Sequence, residues 1–122
     1  MNSTSYVSPN DYPNFVHSRT KPMETPLLNI LHMAVGISGE AGELLDAVKK
    51  SWVYNKPLDI DNVIEELGDL MFYIQGMINV IEDYDDFPLN LDAVILLNMV
   101  KLYERYPNGY TDADAIDRKD KQ

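Results

Sequence analysis

The stretch Ile60-Asp-Asn-Val-Ile-Glu-Glu66-Leu-Gly-Asp69-Leu-Met-Phe-Tyr-Ile-Gln-Gly-Met-Ile78 decides the fold. Ile60, Val63, Ile64, Leu67, Leu70, Met71, Ile74 and Ile78 recur at three- and four-residue steps, the period of a helix with an inward face. Asp59 or Asp61 is placed to cap its start, and the acidic run Glu82 to Asp86 followed by Pro88 should end it near Glu82. Leu70 to Ile74 is almost continuously apolar, so more than one side of this helix asks for cover. A second copy of the chain is the predicted source of that cover, as a homodimer.

Working outward, the turn Asn55 to Leu58, with Pro57, separates this helix from a longer one before it. Thr25-Pro26 reads as N-cap and first helical residue, opening a helix to about Tyr54 with Leu27, Leu28, Leu31, Val35, Leu44, Leu45 and Val48 on its apolar side. Gly36, Gly39 and Gly42 interrupt it at about 1 kcal/mol each relative to alanine. They allow close approach of a neighbour and a kink near Gly36 to Gly39. A short aromatic helix from Pro9 to Arg19 precedes it. On the other side Asn90 caps a helix over Leu91 to Tyr103, closed by Pro107 and Gly109. The fold class predicted is all-α: an antiparallel four-helix bundle over about residues 9–106, with a polar tail at 107–122, in one domain of residues 1–122.

The 122 residues include no cysteine, which excludes disulfide scaffolds, zinc knuckles and thiol catalysis. Net charge is −10, and residues 59–122 hold 15 of the 20 acids against five bases. Duplex binding needs the opposite sign, so no nucleic-acid partner is expected. No apolar run approaches the length of a membrane span and the polar N-terminus lacks a signal-peptide core, so a cytoplasmic protein with no membrane partner is expected.

Glu40 and Glu43 stand three apart on the second helix, and Glu66 and Asp69 three apart on the third. Each pair shares one helix face. One such pair is commonly a solvated face, but both of these are embedded in apolar helix. Four carboxylates converging between two helices repel one another unless a cation sits among them. Oxygen-only donors suit Mg²⁺ or Mn²⁺. A di-iron site fails, because neither His17 nor His32 follows a glutamate at the required spacing. A calcium loop starting at Asp83 fails too, with Pro88 where glycine is required and Val94 where the bidentate glutamate belongs.

Glu40-Ala-Gly-Glu43 and, after 22 intervening residues, Glu66-Leu-Gly-Asp69 resemble the Glu-x-x-Glu…Glu-x-x-Asp signature of the all-α nucleoside triphosphate pyrophosphohydrolases of MazG-like type. His32 to Lys50, Tyr54-Asn-Lys-Pro57, Asn62 to Tyr73, Asn98-x-x-Lys101-Leu-x-x-Arg105-Tyr-Pro107 and Ala115-x-x-Arg118-x-Asp120 extend the resemblance over roughly residues 27–120. They are similar to the short single-domain branch, which includes many viral versions; Asn55 departs from it, standing where relatives often carry glycine.

The resemblance implies cleavage of a (deoxy)nucleoside triphosphate between its α and β phosphates. It makes Glu40, Glu43, Glu66 and Asp69 the catalytic metal ligands for roughly two or three Mg²⁺ ions, with Mn²⁺ as a substitute. One of the glutamates, or Glu65, would accept the proton of the attacking water. Lys56, Asn98, Lys101, Arg105 and Arg118 would meet the nucleotide and its phosphates, Arg118 across a subunit interface of a homodimer or of a homotetramer built from two dimers. Trp52 and Tyr54 either stack on the base or pack in the core. A deoxyguanosine nucleotide is the preferred substrate on this reading, with dCTP or dUTP as alternatives. A reading of another class is an idle helical bundle whose acidic half attracts a basic protein.

Overall fold

Capping chemistry sets where the helices start. The computed structural model describes residues 8–122; the polar stretch at 1–7 lies outside the described residues. After a 3₁₀ turn at Pro9–Asp11 come five α-helices: α1 (Tyr12–Arg19), α2 (Pro26–Tyr54), α3 (Ile60–Asp85), α4 (Leu91–Arg105) and α5 (Asp112–Asp117). A second 3₁₀ turn, Lys119–Lys121, closes the chain. Thr25 Oγ1 accepts from the Leu28 N–H (3.2 Å), Asp59 Oδ1 from Asn62 (3.1 Å) and Asn90 Oδ1 from Ala93 (2.8 Å). Each cap satisfies an N–H that the first helical turn leaves without a partner. The fold class is all-α, with no strand among the described residues.

The chain divides into two compact units, the first running through Pro88 and the second from Leu89 to Gln122. In the first unit α2 and α3 form a hairpin. Gly36 faces Tyr73 and Met33 faces Gly76, so the pairing runs antiparallel. At Gly36 a Cβ would collide with the Tyr73 ring, so the close approach expected of the α2 glycines occurs here, between backbone and a side chain. Gly39 and Gly42 face open space instead. The helix is continuous through all three glycines. Met33 fills the space that Gly76 leaves, with Val16 of α1 against the same spot. Among the described residues Val16, Met33, Ala47 and Ile78 are the buried hydrophobic ones, joined by Gln75, whose amide donates to Asn79 Oδ1 (3.0 Å). Asn79 in turn donates to the Pro13 carbonyl (3.0 Å), which ties α1 to α3.

Several boundaries and faces differ from the sequence expectation. The third helix runs past Glu82 to Asp85, because the first proline after it is Pro88 and Asp86 supplies the left-handed C-cap (φ 49°). The fourth continues past Tyr103 to Arg105, up to the residue that Pro107 restricts. Residues 112–117 of the tail are helical, with Thr111 Oγ1 accepting from the Asp114 N–H (3.0 Å). Of the residues assigned to the inward face of α3, Ile60, Ile64, Leu67 and Met71 are exposed, because α1 and α2 cover only the side carrying Gln75, Gly76 and Ile78. Leu27, Leu31, Val35, Leu45 and Val48 of α2 are exposed as well. No helix among the described residues is long and apolar enough to cross a membrane.

Candidate active site

The α2–α3 turn fixes the register that brings the carboxylates together. Asn55 ends α2 in the left-handed conformation (φ 51°, ψ 42°), which asparagine tolerates better than most residues and glycine best of all. The Lys56 N–H donates to the Ser51 carbonyl (3.1 Å), and the Ser51 hydroxyl donates to the Lys56 carbonyl (2.6 Å). Asp59 then starts α3 at once. With this short turn and the Gly36–Tyr73 contact as two fixed points, Glu40 of α2 comes opposite Glu66 and Asp69 of α3.

One oxygen from each of Glu40, Glu66 and Asp69 lies within 4.8 Å of the others. Glu40 and Glu66 are half-buried and Asp69 is exposed, so the group opens to solvent on one side. Glu66 Oε2 is buried and has no hydrogen-bond partner. Burial first, then the Glu40 carboxyl beside it, then the charges of Asp69 and Glu43 push the Glu66 carboxyl above its ordinary range. A buried acceptor without a donor, inside a group of like charges, is costly in isolation. A hard divalent cation answers both faults, since it supplies positive charge and takes oxygen ligands. The donor set therefore fits Mg²⁺ or Mn²⁺, with Glu40, Glu66 and Asp69 as the residues that would hold it.

The family model described as MazG nucleotide pyrophosphohydrolase domain matches residues 29–110. The chain belongs to the MazG nucleotide pyrophosphohydrolase family. It is an enzyme, a nucleoside triphosphate pyrophosphohydrolase. Searches among curated proteins and among solved structures gave no match. The matched segment of this MazG domain runs across the boundary between the two units and contains both carboxylate pairs, whereas Arg118 and Asp120 lie beyond it.

The remaining expected residues of the MazG site fall in distinct places. Glu43 is exposed and outside the group of three, although its charge still acts on Glu66 and, with Asp46, on Lys50. Glu65 is exposed and also outside the group. Trp52 (81% exposed) and Tyr54 (65%) are exposed and are not packed in a core among the described residues. The Lys56 ammonium sits 6.0 Å from the centre of the Tyr54 ring. Asn98 and Lys101 are exposed on α4 in the second unit, and Arg118 is the exposed left-handed C-cap of α5 (φ 52°). Arg105 is bound to Asp120 by two hydrogen bonds, Nε to Oδ1 (2.7 Å) and Nη2 to Oδ2 (2.8 Å).

Sequence reading passed over two features of the α2–α3 interface. Tyr73 packs into the gap at Gly36, with its ring edge-on to His32 (6.3 Å between centres), and His32 Nδ1 is buried without a partner. A histidine beside Met33 in an otherwise apolar stripe was the available signal.

Proposed function

We propose that this MazG enzyme is Mg²⁺-dependent and hydrolyses a (deoxy)nucleoside triphosphate to the monophosphate and pyrophosphate, with Mn²⁺ as a substitute. The observation that carries the reading is Glu66 Oε2, a buried and unanswered acceptor inside the Glu40–Glu66–Asp69 group. When bound, divalent cations neutralise triphosphate charge and make water a better nucleophile. Glu40, Glu66 and Asp69 would hold the cation, with Glu43, three residues on from Glu40, as a fourth carboxylate for it. Water attacks the α-phosphorus, the bond from that phosphorus to the bridging oxygen breaks, and pyrophosphate leaves. The proton of the water passes to a glutamate of the group or to Glu65.

Lys101 and Arg105, four residues apart on α4, share one face and suit phosphate oxygens, with Lys56, Asn98 and Arg118 as further contacts. Trp52 and Tyr54 are exposed, Tyr54 beside Lys56, and both are free to stack on a base. The preferred base is guanine in a deoxynucleotide, on the resemblance to the short single-domain branch, with dCTP and dUTP as the other candidates. The exposed apolar faces of α2 and α3, together with Ile95, Leu96, Leu97, Met99 and Val100 of α4, favour a homodimer or homotetramer.

Assay of the eight standard ribo- and deoxyribonucleoside triphosphates with Mg²⁺ tests the reaction. Pyrophosphate and a monophosphate are the expected products. Orthophosphate and a diphosphate as primary products would overturn cleavage at the α-phosphorus.

A further inference from the structure

The C-terminal segment beyond α4 is built to deliver one carboxylate to one arginine. Thr111 caps α5, Arg118 ends it in the left-handed conformation, and the 3₁₀ turn Lys119–Lys121 then turns Asp120 back toward α4. The Gln122 amide donates to the Asp117 carbonyl (2.9 Å) and holds the end of the chain against α5. The Asp120 side chain is fully buried, and the Arg105 side chain keeps 17% of its exposure. The two hydrogen bonds are parallel and bidentate, which fixes the guanidinium plane as well as its position. Asp120 occupies Nε and one hydrogen of Nη2, and the neighbouring Tyr106 hydroxyl also acts on the guanidinium, which leaves the N–H bonds that these two groups do not take to other acceptors.

A clasp of this kind does not need charge to hold. Well-packed apolar residues commonly hold a segment as well as a buried ion pair does, because both ions give up hydration. What an ion pair supplies and an apolar contact does not is a defined direction for the remaining N–H bonds. Lys101, one turn earlier on α4, makes the contrast: it is an exposed point charge on a flexible stem, whereas Arg105 is a planar fork held still.

We infer that Asp120 is a positioning residue for the hydrolytic reaction, orienting Arg105 so that its free guanidinium edge receives a phosphate oxygen of the nucleoside triphosphate. This rests on the reading of Arg105 as a phosphate contact, and it places a functional requirement in the segment beyond the matched MazG residues. Tail and arginine then act as one unit: an Arg105 released from Asp120 samples many rotamers and must be ordered again at each binding event.

The test compares Asp120→Ala, Asp120→Asn, Arg105→Ala and the Asp120→Ala/Arg105→Ala double variant for kcat, KM and thermal stability with Mg²⁺ and the best triphosphate. KM should rise about tenfold in Asp120→Ala, by analogy with the loss of partners that orient metal ligands. It should rise less in Asp120→Asn, which keeps the shape and one acceptor oxygen. Adding Asp120→Ala to Arg105→Ala should raise KM no further, since the two residues act as one. A rise in KM for Arg105→Ala with none for either Asp120 variant would overturn the positioning role and leave Arg105 as a phosphate contact. No rise for Arg105→Ala would overturn both. A lowered melting temperature in Asp120→Ala at unchanged KM would mark the pair as purely structural and overturn the proposal.

Discussion

Two carboxylates in this protein each hold a buried oxygen and are answered very differently. Asp120 meets a guanidinium through both of its oxygens, and that contact holds its carboxyl down to about 2. Glu66 meets Glu40 and Asp69, has one oxygen without a partner, and is pushed up by burial and by its neighbours. The first arrangement is complete within the chain. The second is incomplete within it, and like charges gathered around a buried acceptor are what a divalent cation would complete. Charge alone does not separate the two sites. The partner does.

The largest effect expected from this contrast is on turnover. Glu66→Gln or Asp69→Asn keeps side-chain shape but removes a charge from the group. Loss of a partner that merely orients a metal ligand costs up to about 100-fold, so loss of a ligand should cost more than that in kcat. Circular dichroism should show the helices intact. The cation-free protein should be no less stable than wild type, because repulsion falls. Near-normal turnover at saturating Mg²⁺ would remove the altered residue from the site.

Next comes linkage. Mg²⁺ or Mn²⁺ at 100 times its Kd should stabilise the wild-type protein by about 2.7 kcal/mol through preferential binding to the folded state. The same addition should leave Glu66→Gln nearly unmoved, while Asp120→Asn should respond as the wild type does. A thermal-shift titration reads all three.

A smaller effect tests the register that brings Glu40 to Glu66. Gly36→Ala places a methyl group into the Tyr73 ring and should destabilise the α2–α3 hairpin by about 1–3 kcal/mol, as overpacking does. Gly39→Ala and Gly42→Ala meet nothing within 4 Å and should be neutral or stabilising by up to about 1 kcal/mol. Denaturant melts of the three variants compare them directly. Equal costs at all three positions would contradict the close approach at Gly36.

The smallest effect is acid sensitivity of the Asp120 clasp. The folded carboxyl lies below its usual 3.8, so its contribution to stability is complete above that value and is lost as pH falls toward about 2. Wild type should therefore lose more stability across this window than Asp120→Asn, which has no such proton to take up. Parallel acid titrations followed by circular dichroism check it.

Much of the fold was legible because its determinants are local. Thr25, Asp59 and Asn90 cap the helices as their positions predict, since a cap needs only a side-chain oxygen and the next turn of backbone. Both carboxylate pairs were legible from helical spacing, and the structure adds that Glu40, Glu66 and Asp69 form the tight group while Glu43 stands outside it. That difference depends on side-chain rotamers across two helices, which spacing along one helix does not encode. The partnership of Arg105 with Asp120 spans a turn, a helix and a left-handed residue, so no periodicity reveals it. The inward face of α3 was misjudged for a related reason. Periodicity marks which side is apolar, but cover at Ile60 and Ile64 depends on a neighbour that α1 and α2 do not supply.

The most direct test of the central claim, that Glu40, Glu66 and Asp69 form a divalent-cation site, is a Mn²⁺ titration followed by electron paramagnetic resonance, without nucleotide. The free Mn²⁺ signal should be suppressed saturably by wild-type protein and by Asp120→Asn, with Mg²⁺ restoring it in competition, and Glu66→Gln should suppress it far less. Equal suppression by wild type and Glu66→Gln would contradict the account.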